Sequence, residues 1–167
     1  YASLFPDEPD IVWGIIFYCD PVTEPDRIIK AASTILRAYD LPAYSEDMSK
    51  KPYIDHLTTC SSAHLVSVYA YYQLGDEANL VTNVDWLLSY VGYNEDQFLN
   101  ALSAADYATC YFTEKGNDEK ALYYARQVEA IISKYGDQYP EWVEKFSPEY
   151  EVAIAPVLEK YAQTNEP

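Results

Sequence analysis

His56, Cys60 and His64 are the residues whose types and spacing come closest to chemistry. Each follows the last at the fourth position, so on a continuous helix all three lie on one face, and imidazole and thiolate are the ligands a zinc-like ion prefers. Asp55 is the nearest further donor. The intervening Thr58, Thr59, Ser61 and Ser62 are poor helix-interior residues and good caps. The sequence therefore predicts a helix starting near Ser61, with Pro52 to His56 as a separate short turn. That break separates the candidate ligands, so a metal-dependent enzyme or sensor ranks as an alternative and no cofactor is expected.

Three acidic pairs, Asp76-Glu77, Glu95-Asp96 and Asp118-Glu119, resemble catalytic carboxylates only superficially. Each sits where a helix is expected to begin, and the N-terminal dipole already accounts for an acid there. Neighbours on a helix also diverge by about 100°, so the two side chains do not converge on one substrate. No glycine-rich phosphate loop, HExxH, calcium loop or nucleophile elbow occurs, which disfavours an enzyme. Cys19, Cys60 and Cys110 are odd in number and lack a CxxC, so no disulfide framework is expected.

The elements that must position any site read as helices. In the stretch 104–136, apolar Ala105, Ala108 and Phe112 recur at helical spacing, as do Ala121, Ala125, Val128 and Ile132. Lys115-Gly116-Asn117 between them supplies a left-handed glycine and then an Asn cap, and Gly136 is expected to end the second helix. A shift of 41 residues places Tyr71, Gly75, Leu80, Leu87 and Val91 under Phe112, Gly116, Ala121, Val128 and Ile132. A weak internal repeat of a helical hairpin follows.

Elsewhere, residues 1–10 form a Pro-rich lead-in, and 11–19 read as a helix apolar nearly all round and hence deeply buried. Thr23 and Pro25 open the next helix, which pairs with it as a hairpin over about 9–39; a polar connection spans 40–51. Further hairpins cover about 61–92, closed by Gly92, and 94–136, opened by an Asn94/Gln97 capping box. C-terminal helices fill about 140–163, with Ser147-Pro148 capping the last, Pro156 kinking it, and a frayed end. No stretch alternates as a strand does. The expected fold is all-α, a single domain of seven or eight helices.

Charge and composition narrow the partners. The 167 residues carry a net charge of −16, which repels phosphate backbones and anionic lipid. Nucleic acid is excluded on this ground, and no apolar run reaches membrane-spanning length. With 49% hydrophobic residues the chain can bury a core, and a soluble protein is expected. Eighteen tyrosines suit both core and interface, because a ring packs while its hydroxyl finds water or a carbonyl. The start at Tyr1 rather than Met fits an exported, processed product as well as a sequence recorded without its beginning, and leaves the compartment open.

With small Ala108 and Thr109, aromatic Phe112, turn Gly116 and early Ala121 in GNDEKALYYA, the central hairpin resembles a tetratricopeptide (TPR) repeat. Ala125 and Val128 depart from that pattern, as does the 41-residue spacing. The resemblance implies antiparallel hairpins stacked in a right-handed array, whose first helices line a concave groove for a segment of another protein. Residues facing that groove would be Leu65, Tyr69, Tyr72 and Gln73 in one hairpin and Asp106, Cys110 and Thr113 in the next. The expected function is non-catalytic binding of a protein or peptide of basic character. An acidic immunity or inhibitor protein that neutralises a basic toxin or enzyme is the alternative.

Overall fold

The structure, a computed structural model, describes Trp13, Gly14, Ile16, residues 18–39 and residues 51–164, the last with side chains over 57–162. The expectations for the lead-in, for most of the connection 40–51, for the side chains of Asp55 and His56 and for the terminal residues lie outside the described residues. Among the described residues the chain is all-helical, without a strand. None of their helices is long and apolar enough to cross a membrane. The chain divides into two compact units, Tyr1–Asn83 and Val84–Pro167.

In the first unit, α1 spans Pro25–Ala38, with Pro25 in its first turn, where a missing N–H costs nothing. Thr23 does not cap it as expected. Glu24 takes the cap position without a side-chain bond, and the preceding turn is held by Asp20 Oδ1 accepting from the Val22 N–H at 2.9 Å. Ile28, Ala31, Ala32 and Ile35 form the buried face of α1, packed on α2 (Lys51–Leu74). Small Ala31, Ala32 and Ala63 meet here, which lets the helices approach closely, and Ile16 joins the same cluster. The expectation that 11–19 is deeply buried holds at Ile16 and Cys19 and is corrected at Tyr18, which is 91% exposed.

The start of α2 is a second correction. It runs unbroken through Thr58, Thr59, Ser61 and Ser62 instead of beginning near Ser61. Ser67 shows how such residues are tolerated, its hydroxyl donating to the Ala63 carbonyl one turn back at 2.8 Å. Ser61 and Ser67 are also buried, so their small size serves packing.

At the end of α2, Gly75 adopts a φ of 68°, and the Asp76 N–H donates to the Tyr71 carbonyl, five residues back, at 3.0 Å. With the Gly75 N–H donating to the Tyr72 carbonyl at 3.1 Å, this closure satisfies two carbonyls of the last turn of α2. α3 (Glu77–Ser89) then starts under an Asp76 cap, Oδ1 accepting from the Asn79 N–H. The division between the units falls within this helix.

The second unit repeats the device. α4 (Glu95–Glu114) ends on Gly116, also at 68°, with the Asn117 N–H donating to the Phe112 carbonyl at 2.9 Å. Asn117 Oδ1 accepts from the Lys120 N–H to cap α5 (Asp118–Tyr135). Tyr71, Gly75, Asp76 and Asn79 thus do locally what Phe112, Gly116, Asn117 and Lys120 do 41 positions later. α4 and α5 pack closely through Ala101, Ala105, Ala108, Ala121 and Ala125, all buried. Phe112, fully buried, stacks on Tyr124 with centroids 5.7 Å apart.

Neither Gly92 nor Gly136 is a left-handed stop. Gly136 lies at φ −60°, continuing into a short 3-10 turn, Gly136–Gln138, and a Cβ on it would stand 3.2 Å from Val143 Cγ2. Its lack of a side chain permits close approach. Gly92 likewise faces the Tyr135 hydroxyl, 2.6 Å from where a Cβ would be. At Asn94 only half of the expected capping box forms: its Oδ1 accepts from the Gln97 N–H at 2.9 Å, while the Gln97 amide is buried with neither end hydrogen-bonded.

The last helical run, α6, comprises Pro140–Glu149, a π turn over Tyr150–Ile154 and the continuation Ala155–Thr164. Ser147-Pro148 does not cap a new helix, because the run passes straight through it. Pro156 does interrupt the run as expected, in a defined way. It has no N–H, and just before it the Ala155 N–H reaches five residues back to the Tyr150 carbonyl, the wide spacing of a π turn.

Candidate functional site

On α2, positions 65, 69, 72 and 73 share one helical face, as their spacing requires. Leu65, Tyr69 and Tyr72 are half-buried there and Gln73 is exposed. An apolar and aromatic strip with a polar end is the result, suited to shape-selective contact.

Of the candidate metal set, the side chains of Cys60 and His64 are described, both in this same unit. Cys60 is buried and its thiol donates to the Tyr39 carbonyl at 3.4 Å, toward the end of α1. Burial pushes that thiol up to about 12, so it stays protonated and is a poor ligand or nucleophile. His64 turns instead toward α3, where its Nδ1–H donates to Asn83 Oδ1 at 2.7 Å; the Asn83 amide is oriented by its own donation to the Asn79 carbonyl. Burial holds His64 down to about 4, so the imidazole is neutral at pH 7. Continuity of α2 restores the spacing, yet Cys60 and His64 are committed to different neighbours. Among the described residues no group of three His, Cys, Asp or Glu could hold a metal ion.

In the second unit, Asp106, Cys110 and Thr113 share a face of α4. Thr113 is exposed and donates back to the Thr109 carbonyl at 2.8 Å. Asp106 is the anomaly, a half-buried carboxylate whose Oδ1 is buried without a hydrogen bond. Burial first, then the charge of Glu149, push it up to about 6. Burial and the charges of Asp106 and Glu114 push the Cys110 thiol up to about 11, which disqualifies it as a nucleophile at neutral pH.

A concavity of this unit lies on residues that sequence reasoning did not single out. Ala155–Thr164 packs along α5, and beside it, where Pro140–Glu149 and the π turn face α5, an open groove of about 750 Å³ remains. Arg126, Glu129, Ala130 and Ser133 form one wall, recurring at three and four residues along α5. Val143, Phe146 and Tyr150 supply apolar surface opposite, and Ile132, Ser147 and Glu151 complete the lining. The Tyr150 hydroxyl donates to Glu129 Oε1 at 3.4 Å, a long bond across the groove. Burial and the Glu129 charge raise that hydroxyl above its ordinary value. The available signal was the mixed flank of α5 beside Ile132, together with two prolines, Pro148 and Pro156, in one run.

Comparison of the chain with protein-family models, with curated proteins and with solved structures finds no match.

Proposed function

We propose that the chain is a non-catalytic recognition module of TPR-like build, its helical hairpins stacked as a right-handed array that holds a segment of another protein. The observation that carries this reading is the pair of equivalent closures at Gly75 and Gly116, with their Asp76 and Asn117 caps, 41 residues apart. A chain that repeats one hairpin device offers repeated helix faces, and in such arrays those faces serve recognition. The faces on offer here are Leu65, Tyr69, Tyr72 and Gln73 on α2 and Asp106, Cys110 and Thr113 on α4. Tyrosine gives large contact area at low entropic cost, and acids favour a basic partner.

The net charge of −16 favours a second reading, an acidic inhibitor that neutralises a basic toxin or enzyme. Salt separates the two. A neutraliser loses affinity steeply as ionic strength rises, whereas a face dominated by tyrosine does not.

The test is affinity capture by the full chain at low and moderate salt, followed by titration of the identified partner. Tyr72→Ala is expected to weaken binding about tenfold, as loss of an interface aromatic does. A partner held equally by wild type, Tyr72→Ala and Asp106→Ala sinks the assignment of these faces.

A further inference from the structure

We infer that the groove between α5 and the middle of α6 is a docking site for a cationic amphipathic helix of another protein. The inference takes from the recognition reading only the class of partner; its site is separate. From Arg126 to Ser133 the α5 wall covers eight residues, roughly 10 Å at the α-helical rise, or about two turns of a docked helix. Ile132, Val143 and Phe146 offer the apolar contact that one face of such a helix buries.

Charge decides the kind of helix. Glu129 and Glu151 border the apolar strip, and the chain as a whole carries −16, so a segment with Lys or Arg flanking its apolar face is both steered in and paired. Arg126 lies at one end of the α5 wall and sets polarity. A guanidinium favours the carbonyl end of a docked helix dipole, so the partner's C-terminus lies toward Arg126.

The experiment selects random 12-residue peptides by display on the full chain and measures the enriched sequences by fluorescence anisotropy. Ser133→Trp fills the groove from an exposed position, and circular dichroism verifies that the variant remains folded. Enriched peptides are expected to carry apolar residues at three- and four-residue spacing beside Lys or Arg, to lose at least tenfold in affinity for Ser133→Trp, and to weaken toward Glu151→Lys. Tyr72→Ala is expected to leave them unchanged. The inference is overturned if no peptide is enriched, if acidic ones are, or if Ser133→Trp binds as well as wild type. Peptides lost from Tyr72→Ala but kept by Ser133→Trp would reject the groove while supporting the α2 face. A dimer of the free chain dissolved by Ser133→Trp would make a second copy the occupant and also overturn it.

Discussion

Asp106 and His64 bias stability in opposite directions with pH. Burial raises Asp106 from 3.8 to about 6, so across that interval the folded unit keeps a proton that the unfolded chain has released, and stability falls as pH rises. At pH 7 the carboxylate is ionised where its neutral form fits better. Asp106→Asn is therefore expected to stabilise the second unit at pH 7 by about 1 kcal/mol, a figure discounted for its partial exposure, with the gain gone below about pH 4. His64 behaves inversely. Its value drops from 6.5 to about 4, the unfolded chain binds the extra proton, and stability is lost as pH falls through that interval. His64→Gln should flatten this acid loss, by about 2 kcal/mol at pH 4. Urea unfolding at several pH values checks both, and like slopes for wild type and variant would refute the assignment. Neither bias was legible in the sequence. His64 read as a ligand or a first-turn residue because its partner, Asn83, lies 19 positions away across a turn.

The elements were legible wherever local signals agreed. Around Gly116 the apolar stripes, the glycine and the Asn cap all point to one hairpin, and the structure has it. Gly75→Ala and Gly116→Ala should each destabilise by about 1 kcal/mol, because both residues sit at a φ of 68°, where a Cβ is strained. Equal thermal unfolding of wild type and both variants would contradict that. Phe112→Ala, at a fully buried ring stacked on Tyr124, should cost about 3–5 kcal/mol, read by the same unfolding. Legibility failed where one residue type serves two ends. Ser and Thr suggested a cap near Ser61 but sit inside α2, and Ser147-Pro148 suggested a start but lies within α6. Gly136 does end α5 as expected, but there and at Gly92 close approach and not a left-handed φ excludes a side chain.

At the scale of the molecule, the charge of −16 acts on every conformation of the chain. Self-repulsion is greatest when the chain is compact, so raising salt from about 50 to 500 mM should raise Tm by several degrees. A Tm that is flat or falling over this range would show that the acids are spaced too widely to repel. The helical class and the acidic character could be read from composition and periodicity. The groove could not, because its walls come from α5 and from residues at least ten positions further on, two of them in a π turn that periodicity does not encode.

That π turn gives the chain a tolerance of an unusual kind. A π turn is an α-helix that has absorbed one additional residue, and its exposed Val152 is the residue to spare. Deleting Val152 would leave buried Ile154 and Val157 on their present faces while pressing the Pro156 ring against the carbonyl four residues before it. The insertion and the proline therefore belong together as a single trait written at two positions. A chain lacking Val152 should be rescued by Pro156→Ala, and the same proline change should matter far less while Val152 is present.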